Sequence, residues 1–145
     1  MKTPNLKRLG VGGALMGALA FGGCGTTGHT QTWSMNTAQS VPAADGKVKV
    51  KAEKSGNTRI KVEVAHLAPP TAVFEQASTY VVWVKPYTGA AQNVGVLKLD
   101  KNLKGKLETQ TAFKQFTVMV TAEQSANVTV PSPFAVMDTA IVMPS

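Results

Sequence analysis

The chain has 145 residues, which suits one domain with its own core and leaves little room for a second domain or a large enclosed active-site cavity. It carries 15 Lys and Arg against 8 Asp and Glu, and three of the cations, Lys2, Lys7 and Arg8, fall within the first eight residues. The rest of the chain has a net charge of about +4, which serves contact with an anionic lipid or polymer and serves equally to keep a small domain soluble. Cys24 is the single cysteine, so an internal disulfide is excluded and packing alone must hold the fold.

Lys2, Lys7 and Arg8 form a positive n-region ahead of a Gly- and Ala-rich apolar run from Leu9 to Phe21. This is the pattern of an export signal, expected to occupy residues 1–23. The run has about 13 residues, short of the roughly 20 that a spanning helix needs. It ends in Phe21-Gly22-Gly23-Cys24-Gly25, which resembles the lipobox of bacterial lipoproteins, with Phe21 standing where Leu is usual. The resemblance implies a diacylglyceryl group on the Cys24 thiol, membrane lipid as the partner through Cys24, and an extracytoplasmic, lipid-anchored protein, periplasmic or at the cell surface. The alternative is ordinary cleavage with an incidental cysteine.

Residues 24–45 are rich in Thr, Ser, Gln, Ala and Gly, with few apolar residues in register, and read as a flexible tether. Trp33 and Met35 are its exceptions. From residue 46 to 145 the sequence reads as a single β domain. Lys47 to Lys54 alternates, placing Val48, Val50 and Ala52 on one face and Lys47, Lys49 and Lys51 on the other. Ser55-Gly56-Asn57 is a turn, and Thr58 to Leu67 alternates again with Ile60, Val62 and Val64 inward, so the two runs predict a hairpin.

Pro69-Pro70 ends the second run, and an irregular piece comes next. Thr79 to Lys85 is apolar on both faces, as in a strand covered on two sides. Further strands are expected over Asn93–Leu99, Leu107–Thr111, Phe116–Glu123 and Ala135–Met143, with a polar loop from Gln124 to Pro133. Six or seven short strands at regular spacing, with no convincing amphipathic helix, predict an all-β, small antiparallel β-sandwich, immunoglobulin-like in general appearance.

Tyr80-Val81-Val82-Trp83, Asn93-Val94-Gly95-Val96-Leu97, Phe116 to Glu123 and the prolines 131 and 133 together resemble the extracytoplasmic carboxy-terminal domain of anti-sigma-K factors, over His66 to Val142. The resemblance implies a β-sandwich outside the membrane and suggests a module that senses a small ligand or envelope stress. A short charged stub stands where that family has its cytoplasmic domain, so anti-sigma activity is not carried over and no sigma factor is expected as partner.

The chemistry-bearing residues are sparse. His29 and His66 are the two histidines, and no His/Cys set has metal-ligand spacing, so neither a metal nor a cofactor is expected. His66 with Glu63 or Glu75 is the one constellation that would suit an enzyme, and nothing marks a serine or a paired carboxylate beside it. The Lys47, Lys49 and Lys51 row suits an acidic polymer or lipid headgroups, or, as the simpler reading, protects an edge strand from pairing. It lacks interleaved aromatics, which argues against nucleic acid. Trp83 reads chiefly as core and Tyr87, beside Pro86 in a turn, as the best candidate contact residue. The expected function is a non-catalytic envelope lipoprotein that contacts an envelope protein or acidic polymer.

Overall fold

The computed structural model describes residues 29–144; the expected export signal, residues 1–23, and Cys24 lie outside the described residues. The strands are β1 (Thr30–Ser34), β2 (Asn36–Thr37), β3 (Asp45–Ala52), β4 (Thr58–Ala65), β5 (Thr79–Pro86), β6 (Gln92–Leu97), β7 (Gly105–Thr111), β8 (Gln115–Glu123) and β9 (Ala135–Val142). They pair antiparallel in two sheets, in the orders β1-β3-β4-β7 and β2-β9-β8-β5-β6. The protein is thus an all-β sandwich, as the strand spacing predicts. Its general appearance is that of an immunoglobulin domain: two packed antiparallel sheets, with β4 lying between its hairpin neighbour β3 and the much later β7, as the second strand of that fold lies between the first and a much later one.

Period-two alternation explains the interior. Val48 and Val50 of β3 and Ile60, Val62 and Val64 of β4 are buried between the sheets, against Tyr80, Val82, Val84, Val118, Val120, Met137 and Ile141 of the second sheet. Burying one such side chain contributes roughly 1.5–3 kcal/mol, offset by about 1–2 kcal/mol of backbone entropy per ordered residue. Ala52, expected inward from the alternation, is exposed at the end of β3. The β3–β4 hairpin closes through Glu53 and Asn57, with Gly56 supplying the positive φ of 93° that the turn requires.

Residues 30–45 differ from the tether expected of them. β1 pairs with β3 from Thr30↔Lys51 to Ser34↔Lys47, and β2 pairs with β9 at Asn36↔Asp138 and Thr37↔Met137. Met35, where the chain passes from one sheet to the other, donates its N–H to the Gly46 carbonyl at 2.9 Å, and both Met35 and Val41 are buried. The composition hides this because an edge strand has one inward row: in Thr-Gln-Thr-Trp-Ser only Gln31 and Trp33 are partly covered, and main-chain bonds to β3 supply the rest. Trp33 packs against the core while its indole N–H, buried, has no partner among the described residues. The pairing also corrects the reading of the lysine row: with β1 outside it, β3 is not an edge strand, so the lysines of β3 do not serve as edge protection.

Strand β5 is covered on both faces, as its sequence predicts. Tyr80, Val82 and Val84 enter the main core, whereas Val81 and Trp83 face the other way and are still fully buried. The segment after β8 folds back over them. The Trp83 Nε1–H donates to Thr121 Oγ1 at 2.8 Å, the Thr121 hydroxyl donates to the buried Glu123 carboxylate, and the Ser132 N–H donates to the same carboxylate at 2.8 Å. Asn93 Nδ2 holds the loop further along by donating to the carbonyls of Ala126 and Val128 at 3.0 and 2.9 Å.

Candidate binding face

The outward surface of the first sheet is a lattice whose rows are set by strand register. One row runs Ser34, Lys47, Glu63, Lys106; the next Thr32, Lys49, Lys61, Glu108; the third Thr30, Lys51, Arg59, Gln110. The rows hold six cations and two carboxylates, and Glu53 of the hairpin reaches in from one end. Lys49 and Lys61 face one another directly, an unfavourable pair that Glu63 relieves at 3.2 Å from Lys49 and 3.4 Å from Lys61. Arg59 takes Glu53 at 3.2 Å and Glu108 at 3.5 Å.

These pairs lie at the surface and add little to stability. Their effect is on the field. The hydrogen bond from Lys49, with Lys61 assisting, holds the Glu63 carboxyl below the ordinary carboxylate range against a smaller opposing effect of burial. The hydrogen bond from Arg59 does the same for Glu53. All three carboxylates are therefore committed to neighbours, and Lys47, Lys51 and Lys106 have no ion-pair partner among the described residues.

Two shallow grooves flank the segment between β6 and β7. One, of about 470 Å³, continues the lattice and is lined by Glu63, Val64, Lys98, Leu99, Asp100, Lys104, Gly105 and Lys106. The other, of about 540 Å³, lies on the far side of the same segment, over Pro69, Pro70, Thr79, Tyr80, Leu97 and Leu103. Asp100 shapes the turn between them, its Oδ1 accepting the N–H groups of Asn102 and Lys104 at 2.8 and 3.0 Å. Tyr80 closes the second groove rather than serving it: its hydroxyl donates to the Ala68 carbonyl at 2.6 Å, and burial pushes the phenol up to about 12.

The residues singled out from the sequence are distributed unevenly. Lys47, Lys49 and Lys51 share one face, and the register adds Arg59, Lys61 and Lys106, of which Arg59 and Lys61 follow from the same alternation that turns Ile60, Val62 and Val64 inward. The alternation of Lys104-Gly105-Lys106-Leu107-Glu108 carries the signal for Lys106, but its position beside β4 is decided by pairing. Trp83 is closed off beneath the Gln124–Phe134 loop and offers no contact surface. Tyr87 is 80% exposed, at the opposite end of the sandwich from that loop, so the two frame no common opening.

His66 is exposed in a left-handed conformation with φ 56°, and makes no ion pair with Glu63 or Glu75. Among the described residues, no three His, Cys, Asp or Glu side chains come together as a metal site, and no helix is long and apolar enough to cross a membrane. Compared with protein-family models, with curated proteins and with solved structures, the chain finds no match.

Proposed function

We propose that this is a non-catalytic, lipid-anchored protein of the bacterial envelope whose first sheet holds an acidic polymer, or the acidic surface of an envelope protein, near the membrane. The observation that carries the reading is the outward lattice: six cations, three carboxylates already satisfied by Lys49, Lys61 and Arg59, and Lys47, Lys51 and Lys106 left over. A polyanion laid across such a face gains charge-assisted contacts without displacing an internal partner. The shallow groove beside Lys98, Lys104 and Lys106 extends the same track. A non-catalytic role is supported by the committed state of Glu63 and by the lack of an ion-pair partner for His66 among the described residues. The anchor rests on the signal pattern and Cys24 of the sequence.

The test has two parts on one preparation. Intact mass of the full-length protein recovered from host membranes reads acylation at Cys24. Fluorescence anisotropy with labelled polyglutamate, at low and high salt, reads the face. Binding is expected to weaken with salt, and Lys47→Gln/Lys51→Gln/Lys106→Gln to weaken it by more than about tenfold and flatten the salt dependence. Equal affinity of the triple variant and the parent protein rules the face out.

A further inference from the structure

The turns at one end of the sandwich come from distant parts of the chain and are tied to one another. Lys114 Nζ donates to the Gly56 carbonyl at 2.8 Å, Thr58 Oγ1 to that of Phe113 at 3.3 Å, the Tyr87 N–H to that of Gln115 at 3.2 Å and the Met143 N–H to that of Lys114 at 2.8 Å. β1 enters the fold at this same end, since Thr30 pairs with Lys51. The charge at the two ends differs. Here Lys54, Lys85 and Lys114 are exposed, and among the described residues the turns hold one side-chain carboxylate, Glu53, which Arg59 occupies. At the far end Lys98, Lys101 and Lys104 are matched by Asp45, Glu75, Asp100 and the buried Glu123. Tyr87 and Val142, 80% and 55% exposed, project among the lysines of the entry end.

We infer that this end of the sandwich is a docking platform for an anionic lipid surface, on which Lys54, Lys85 and Lys114 meet headgroup phosphates while Tyr87 and Val142 touch the interface. The inference rests on the lipid-anchored reading in one respect, the place of the anchor. Five residues separate Cys24 from Thr30, so a lipid on Cys24 is held within about 20 Å of this end whatever path the chain takes. Charge complementarity then chooses the occupant: a basic patch on so short a leash to the bilayer meets phosphate before anything else. An aromatic ring with a polar tip suits the headgroup level.

Length separates the two ends. Eight-residue strands place the far lysines roughly 25 Å away, about three screening lengths at physiological salt, where the surface potential has vanished. The first sheet stands edge-up in this pose, leaving its outward lattice open to an acidic polymer.

The experiment is lysine-by-lysine footprinting with an amine-acetylating reagent, read by mass spectrometry, on the full-length protein from host membranes. The protein is reconstituted into vesicles of phosphatidylcholine alone or with about one-third phosphatidylglycerol. Phosphatidylglycerol is expected to slow labelling of Lys54, Lys85 and Lys114 roughly fivefold or more, to leave Lys98, Lys101 and Lys104 unchanged, and to lose its effect in high salt. Lys54→Glu/Lys85→Glu, which leaves the Lys114 tie to Gly56 in place, is expected to fold normally by circular dichroism and to abolish phosphatidylglycerol-dependent protection of Lys114. Unchanged rates at the three lysines, or protection of Lys47 and Lys106 in their place, overturn the platform, the latter by showing the sheet lying flat. The intact mass of the same sample separates the two readings: acylated Cys24 with unprotected lysines removes the platform and keeps the anchor, whereas protected lysines on an unacylated chain remove the anchor and keep the platform.

Discussion

Replacing Thr121 by valine removes one hydroxyl from the chain Trp83, Thr121, Glu123, Ser132 without changing side-chain volume. Two groups lose a partner. The indole N–H of Trp83, in a fully buried side chain, is left unsatisfied, which costs about 1–3 kcal/mol, and Glu123 loses a hydrogen bond of the charged kind, itself worth about 1.5–3 kcal/mol. The Ser132 N–H still reaches the carboxylate, so the loss at Glu123 is partial and the expected total is about 3 kcal/mol. For a domain of this size that lowers the midpoint of thermal unfolding by about 10–15 °C. Thr121→Ser keeps the hydroxyl and gives up one methyl, about 1 kcal/mol, and is the control. Thermal unfolding followed by circular dichroism compares the two, and a cycle with Trp83→Phe isolates the coupling, expected at about 1 kcal/mol or more. A valine variant that melts no lower than the serine variant refutes the argument, because the hydroxyl bridge then contributes nothing net.

Met35→Ala is expected to cost about 2 kcal/mol in urea unfolding, at the low end for a buried methionine because Met35 is 8% exposed; a flexible tether at this position predicts no change. Tyr80 makes stability depend on alkaline pH. Its phenol keeps its proton in the fold up to about 12 and loses it near the ordinary value of 10.0 when unfolded, so the unfolded chain binds fewer protons in that window and stability falls as pH rises through it. Urea midpoints measured on either side of pH 10 are expected to show this fall in the parent protein and a smaller one in Tyr80→Phe; equal falls in both place the cause elsewhere.

Four features were decided by contacts between segments far apart in the chain. β1 is polar, and becomes a strand because β3 offers it an open row of hydrogen-bonding groups; no local pattern announces that, and Trp33 is the trace it leaves. The same pairing turns β3 from a supposed edge into an interior strand and sets Lys47, Lys49 and Lys51 in a shared lattice with Arg59, Lys61 and Lys106. Trp83 is buried by the Gln124–Phe134 loop, whose hold depends on Asn93 and Glu123, and loop path is not encoded in periodicity. The gathering of Lys54, Lys85, Lys114 and Tyr87 at one end is set by the antiparallel registers alone.

The local part is legible along the chain. Alternation at period two reports which side chains a strand turns inward, and β3, β4, β5, β8 and β9 fall where it places them, to within two residues at their ends. Gly56 and Asn57 mark the hairpin turn because only certain residues take its backbone angles, and the two apolar faces of β5 announce a strand covered twice. Strand order, edge identity and the company kept by each charged side chain belong to the tertiary structure, since hydrogen bonds and charges act through space and the sequence orders residues only along the chain.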